Sequence, residues 1–327
     1  PLLAGRVREA PARPFRDRGM IDRAVSTVID AERCTCCGLC VRVCPSKTIS
    51  LRGKTAVVTG DRSLSCGHCA AVCPSGAVTV GVLDPEASAY ATFEADRRWL
   101  PPGEFDTSQL VRLMASRRSC RNFKDEPVDR PLLEDLVRIG VTAPSGTNSQ
   151  VWTYTILPTR DAVVALGDQV ARFFQKVNRL AENGWLRRAL RLIGRGELHE
   201  YYRDYHQSVT EALAERAAGG ADRLFHGATA AIVVGSGPGG STAKEDALLA
   251  TQNILLAAHA MGLGTCLIGF AVVPLAKDIR VKRSLGIPDR ERVHAVIALG
   301  RPHEGYRTAA GRKRPVRRYC EVVSPPC

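Results

Sequence analysis

The feature that most constrains this chain is a run of cysteines near its start. From Cys34 it reads C-T-C-C-G-L-C-V-R-V-C-P, which is C-x2-C-x2-C-x3-C-P counted on Cys34, Cys37, Cys40 and Cys44. Two-residue gaps fold a short loop around a metal centre. Soft thiolates suit iron, and this spacing is one that holds iron–sulfur clusters. Pro45 stops the loop and turns the chain away. A second run, Cys66-Gly-His-Cys69-Ala-Ala-Val-Cys73-Pro74, matches the last three cysteines of the first, but Ser63 stands where its first cysteine should be. Zinc sites favour two separated cysteine pairs over runs ending in Cys-Pro. Disulfide frameworks belong to small secreted domains and spread along the chain. Here eight of the twelve cysteines lie between Cys34 and Cys73, and Cys120, Cys266, Cys320 and Cys327 are scattered. That clustering points to metal in a reducing cytoplasm.

The paired runs resemble the two-cluster bacterial ferredoxins, in which the fourth cysteine of each run ligates the other cluster. The resemblance implies a 4Fe-4S cluster on Cys34, Cys37, Cys40 and Cys73. It implies a second on Cys44, Cys66 and Cys69, which lacks a fourth thiolate. Three remedies stand open: an alkoxide from Ser63, the odd Cys36 swinging in, or a three-iron cluster. Strand-like pieces at Thr48–Leu51, Ala56–Thr59 and Val78–Val80 flank the runs and fit the pseudo-twofold layout of that fold.

A chain of 327 residues expects about two domains. The cysteine module is assigned to residues 30–82, after an extension at 1–29 whose Arg- and Pro-rich first part, Pro1–Gly19, precedes a candidate native start at Met20. Residues 83–106, broken by Pro85, Pro101, Pro102 and Gly103, read as a linker, with Trp99-Leu100 expected to dock on the domain that follows. The formal charge of +13 comes without any helix-turn-helix or RNA-binding signature, so nucleic acid is not expected as a partner. An acidic donor such as a small ferredoxin or a flavodoxin fits better, because opposite charge speeds encounter. No apolar run approaches the ~18 residues of a membrane span, and no membrane partner is expected.

From residue 107 to 327 the texture is that of one α+β domain. Asp106 or Thr107 caps a helix ending at Ser116, and Pro131 opens another whose Leu132, Leu133, Leu136, Val137 and Ile139 recur at helical spacing. Strands are expected at Thr153–Leu157, Ala230–Gly235 and Val293–Leu299. A helical insertion fills Ala162–Leu224. Thr242-Ala-Lys-Glu245 reads as a capping box for a helix running to about Met261. The G-x-G-x-x-G at Gly235–Gly240 lacks the acidic residue a dinucleotide site needs, and it reads as a connecting loop.

Three segments carry chemistry. Arg117-Arg118-Ser119-Cys120-Arg121-Asn122-Phe123 offers forked guanidinium donors suited to a phosphate. Ala143-Pro-Ser-Gly-Thr-Asn-Ser-Gln150 is a polar loop whose amides and hydroxyls suit the carbonyls of a flat heterocycle. Gly262-Leu-Gly-Thr-Cys-Leu-Ile-Gly269-Phe270 is a buried turn whose amides suit a ring edge. In this order, and followed by a basic segment before a proline, they resemble the FMN-dependent nitroreductase family from about Leu110 to Val316. The cysteine module matches the subgroup with an N-terminal ferredoxin domain.

The resemblance implies a central sheet wrapped by helices and an FMN site built across a homodimer interface. Arg117, Arg118, Ser119 and Arg121 would hold the FMN phosphate, ribityl chain and ring. Pro144, Ser145, Gly146 and Asn148 would touch the isoalloxazine from the partner subunit, and Ile268 and Gly269 would lie by N5. Arg312, Lys313 and Arg314 match the basic C-terminal segment that binds phosphate. Cys120 reads as a small buried, inert thiol. No side chain is assigned as catalytic, because the chemistry resides at flavin N5.

The expected function is a cytoplasmic oxidoreductase passing electrons from a low-potential donor through the clusters to FMN. The flavin would reduce a flat electron-poor small molecule: a nitroaromatic, a quinone or an activated alkene. Alternatives are an NAD(P)H-dependent flavin reductase and a redox-sensing electron carrier without its own substrate. The insertion's Phe173, Phe174, Trp185, Tyr201, Tyr202 and Tyr205 suit either a lid over the flavin or ordinary helix packing. His199 and His206 read as surface histidines.

Overall fold

A computed structural model of the chain describes residues 22–321. The expectation for Pro1–Gly19 and Met20 lies outside the described residues. The cysteine module holds β1 (Thr27–Ile29), α1 (Leu39–Val43), β2 (Ile49–Arg52), β3 (Thr55–Val58), α2 (His68–Ala71) and β4 (Val78–Val80). β1 pairs antiparallel with β4, and β2 with β3. The first of these strands falls inside the stretch 1–29 expected as an extension, because Ile29 is needed against Val78 and packs on the module's small core. Both short helices begin after a glycine in the left-handed region, Gly38 at φ 73° and Gly67 at φ 74°, a conformation a side chain would strain. The two halves thus share one backbone path.

The second unit is an antiparallel sheet between two layers of helices. Its strands β5 (Trp152–Leu157), β6 (Ala230–Ser236), β7 (Gly264–Leu267) and β8 (Arg292–Gly300) run in the order β5-β6-β8-β7. Strand alternation splits the core. Ala231 and Val233 of β6 face α5 (Arg160–Glu182) and α10 (Gly269–Lys277), meeting Val163, Leu166, Val170, Phe174, Ala271 and Leu275. Ala230, Ile232 and Val234 face α4 (Arg130–Gly140) and α9 (Ala243–Ala260), meeting Leu133, Leu136, Ile254 and Ala258. β6 is antiparallel to both neighbours, so the glycine-rich turn after it serves no parallel dinucleotide unit.

The helix α3 (Thr107–Ser116) is capped by Asp106, whose carboxylate accepts the amides of Ser108 and Gln109 at 2.8 and 3.2 Å. The insertion expected at Ala162–Leu224 folds as all but the first two residues of α5 with α6 (Gly184–Leu192), α7 (Glu197–Asp204) and α8 (His206–Ala217), and a short α11 (Ile279–Ser284) precedes β8.

Two local expectations are corrected. Thr242 makes no capping bond to the helix amides; its hydroxyl donates to buried Asp246 one turn on, at 2.9 Å. Trp99 does not dock, being 79% exposed. The stretch before it is anchored instead through Asp135 of α4, fully buried, which accepts the amides of Ala91 and Thr92 and the Thr92 hydroxyl at 2.7–3.0 Å.

Candidate functional site

The cysteines line two cavities of nearly equal size, about 320 and 350 Å³. Cys34, Cys37, Cys40 and Cys73 line the first, with Cys36 in its wall. Cys44, Cys66, Cys69 and Ser63 line the second. Among the described residues no group of three His, Cys, Asp or Glu closes on a single ion. In both halves the Cys-Pro cysteine accepts the amide four residues on: Thr48 to Cys44 Sγ and Ala77 to Cys73 Sγ, each at 3.3 Å. The Thr55 hydroxyl, then the amides of Ala56 and Cys36, hold the Cys34 thiol below its usual value. Ser75 does the same first for Cys73. Burial pushes Cys40 and Cys69 up, and a bound cation would favour their thiolates.

The second cavity touches the rest of the protein. Asn148 Nδ2 donates to the carbonyls of Leu64 and Ser65, at 3.0 and 3.1 Å. Arg23 donates to the carbonyl and hydroxyl oxygens of Thr147, at 2.8 and 2.7 Å. Thr147, Asn148 and Gln150 all take positive φ, 52°, 55° and 47°. That sharp path is held by Asp246, which accepts the Gly146 amide at 3.0 Å and the Ser149 hydroxyl at 3.2 Å. A Cβ on Gly146 would sit 2.0 Å from the Thr242 hydroxyl. The loop is thus built from α9 and presented to the cysteine module.

A third cavity, about 1260 Å³, lies at the other end of the sheet. Arg117 and Arg118 line it together with Gly262–Thr265 and a segment after β8, residues 302–309. Ser119 bridges Thr265 in parallel, and the Cys120 amide donates to the Thr265 carbonyl at 2.8 Å. This is why the arginine motif meets the glycine turn. Burial first, then the like charges of Arg118 and Arg312, lower Arg117 from its usual value. A half-buried guanidinium among cations is a place for an anion. Of the basic segment, Arg312 is the member whose charge bears on Arg117, its own Nη1 donating to the Ala310 carbonyl at 2.8 Å; Arg312, Lys313 and Arg314 are all exposed. Arg121 stands apart, its charge felt by Cys266 and His226. Burial pushes the Cys120 thiol up, consistent with an inert residue.

Ile268 is buried at the head of α10, and Gly269 has open space where a Cβ would be. The insertion's aromatics converge on the next residue. Phe270 meets Phe174 and Tyr205 at ring distances of 5.4 and 5.6 Å, and Tyr201 stacks on Phe174 at 6.0 Å. Trp185 stays outside this group, 82% exposed. His206 approaches Glu182 at 3.4 Å. Within one chain, Pro144, Ser145, Gly146 and Asn148 do not line the arginine cavity. The segment 302–309, with Glu304, Tyr306 and Arg307, was not singled out from the sequence. Its only local signal is the Arg301-Pro302 end of the last strand.

The nitroreductase family model matches residues 114–301, and the 4Fe-4S dicluster domain model matches residues 33–77. A 4-nitrobenzoate reductase of Nocardioides sp. (strain LMS-CY) is 28% identical over 210 residues, 58% of this chain and 78% of that protein. An iodotyrosine deiodinase of Haliscomenobacter hydrossis is 22% identical over 200 residues, 61% of this chain and 82% of that protein. A solved nitroreductase with bound FMN from Bacteroides fragilis NCTC 9343 aligns over 64% of this chain and 96% of that one, with 22% identity and a TM-score of 0.45. The chain belongs to the nitroreductase family of FMN-dependent oxidoreductases and carries a 4Fe-4S dicluster domain ahead of its nitroreductase domain.

Proposed function

We propose that the chain draws single electrons from a low-potential donor into its two cluster sites and delivers them to an FMN site, where a flat electron-poor molecule is reduced: a nitroaromatic, a quinone or an activated alkene. The observation that carries this reading is the pair of hydrogen bonds from Asn148 to Leu64 and Ser65. They join the loop that resembles the family's isoalloxazine loop to the wall of the second cysteine cavity. Bound in these sites, the clusters supply one-electron transfer and FMN supplies the exchange between one- and two-electron chemistry.

The residues do the positioning. Cys34, Cys37, Cys40 and Cys73 fit one cluster, and Cys44, Cys66 and Cys69 three corners of another. Arg117, Arg118 and Arg312 form a cationic end suited to a phosphate, with Ser119 and Arg121 following in the same segment. Ile268 and Gly269 leave an open, amide-bearing turn for a ring edge, and Phe174, Tyr205 and Phe270 make an apolar wall beside it. Because residues 144–148 do not reach the arginine cavity in one chain, two chains would complete each flavin site, the loop of one serving the arginines of the other. The net charge of +13 favours an acidic ferredoxin or flavodoxin as donor.

Anaerobic stopped-flow tests the donor. Reduced ferredoxin is expected to bleach the iron–sulfur absorbance first and the flavin after it, with NADPH slower by at least tenfold. Fast flavin bleaching by NADPH alone would overturn the proposed path.

A further inference from the structure

The two cysteine cavities are related by a shift of 29 residues, the shift that carries Cys34 to Ser63. Applied forwards to the loop from Cys34 to Cys40, and backwards to Ala56 and to the stretch Cys73–Val78, it takes every residue lining the first cavity onto one lining the second. Backbone geometry follows the same rule. Cys36 and Ser65 have φ of 56° and 52°, and Gly38 and Gly67 have φ of 73° and 74°. Among the four ligand positions of the first cavity, Cys34, Cys37, Cys40 and Cys73, the shift alters chemistry only where Ser63 replaces Cys34; Cys36, outside that set, becomes Ser65.

Ser63 also lines the second cavity at the missing ligand's place, as Cys34 lines the first. The Cys34 sulfur accepts the amide of Ala56, at 3.4 Å. The Ser63 Oγ accepts the amide of Ser65, two residues on, at 3.0 Å. The Ser63 amide is fixed in turn by the carbonyl of Arg23, at 2.8 Å. Cys36 cannot fill the gap, because it lines the other cavity and its own counterpart is Ser65; its thiol points to the Gly53 carbonyl, 3.8 Å away.

We propose that Ser63 is the fourth protein ligand of the second cluster, making a three-cysteine, one-serine site on the side of the module that meets Asn148. This rests on the reading of the cavities as cluster sites. Ligation forms an Oγ–Fe bond and releases the hydroxyl proton to solvent, with no change in oxidation state. A hydroxyl is shorter than a thiol and binds metal at shorter range, about 2.0–2.2 Å for oxygen against about 2.3 Å for sulfur at zinc. Ligation by Ser63 would therefore draw this corner of a bound cluster closer to the loop Ser63–Ser65. That loop is the one clamped from outside by Asn148 and Arg23. Oxygen is also a harder ligand than sulfur and favours ferric iron, so the serine corner lowers the potential of this cluster relative to an all-cysteine version.

The test uses the full chain purified anaerobically, as wild type, Ser63→Ala and Ser63→Cys, with iron and sulfide counts, EPR and iron-edge X-ray absorption. Wild type is expected to hold about eight irons and to show an Fe–O path. Ser63→Ala should lose about one iron per chain and acquire a three-iron EPR signal when oxidised. Ser63→Cys should keep about eight, lose the Fe–O path and raise the second potential. Wild type with about seven irons and a three-iron signal unchanged by Ser63→Ala would overturn the ligand while leaving the cluster reading intact. Absence of iron and sulfide from all three proteins would overturn both.

Discussion

Placing a methyl group at Gly264 should separate the arginine motif from the glycine turn. A Cβ built there lies 2.8 Å from the Cys120 Cβ, 2.9 Å from its Sγ and 3.3 Å from the Phe123 ring. Carbon contacts are comfortable at about 3.5–4.0 Å, so the segment carrying Ser119 and Cys120 must retreat by up to about 1 Å. Overpacking of this kind costs about 1–3 kcal/mol. At about 2–4 °C per kcal/mol for a domain of this size, Gly264→Ala should melt about 2–12 °C lower. The same displacement moves Arg117 from Thr265 and should weaken FMN binding about tenfold or more, a loss of about 1.4 kcal/mol. Calorimetry and titration of the apoprotein with FMN, followed by flavin fluorescence, measure both. Cys120→Gly removes the colliding atoms, so adding it to Gly264→Ala should restore part of the affinity, giving a positive coupling in the double-mutant cycle. Gly269→Ala is the control for stability, because its Cβ would meet nothing within 4 Å. A Gly264→Ala protein with unchanged melting and unchanged FMN affinity would refute the close-approach argument.

Two further outcomes follow from the same geometry. Arg312→Ala should weaken FMN binding about tenfold, whereas Lys313→Ala should change it less than about threefold, since of these two only the Arg312 charge bears on Arg117; equal effects in the titration would remove that distinction. Burial alone would raise the Asp135 carboxyl, but the amides of Ala91 and Thr92, the Thr92 hydroxyl and Arg138 outweigh it and hold it low. A depressed carboxylate contributes stability in full above its unfolded value of about 3.9. That contribution is lost as pH falls through the lower folded value. Asp135→Ala should therefore cost about 3–5 kcal/mol at neutral pH, and in acid titrations below about pH 4 the gap between wild type and variant should close. A gap that stays constant into acid would show that Asp135 acts through packing and not through its charge.

What the sequence made legible was local. The cysteine spacings name the two cavities because the chemistry is carried by neighbours a few residues apart. The helices from Asp106 and Pro131 and the three core strands follow from caps and short-range periodicity. What it concealed was set by partners distant along the chain. Thr27–Ile29 is too short to declare itself and becomes a strand only against Val78–Val80. Thr242-Ala-Lys-Glu245 has the letters of a capping box, yet Asp246 draws the threonine away because the same carboxylate also holds Gly146 and Ser149. Asp135 looks like any helix-surface acid until the stretch at Ala91 and Thr92 folds back onto it. At the site, the arginine motif and glycine turn were visible as segments, but their union depends on the pairing of Ser119 with Thr265. Nothing near Asn148 in sequence announces that it reaches the carbonyls of Leu64 and Ser65.

That contact is where the account is most exposed. Removing the Asn148 amide breaks two hydrogen bonds and leaves two carbonyls to water, a loss of about 1–3 kcal/mol in docking. The direct measurement is the rate of flavin bleaching after rapid anaerobic reduction of the clusters, compared between wild type and Asn148→Ala at matched flavin occupancy. Flavin reduction about tenfold slower in the variant, with cluster reduction by the donor unchanged, is the predicted result. Flavin reduction at the wild-type rate in Asn148→Ala would contradict electron delivery across this junction.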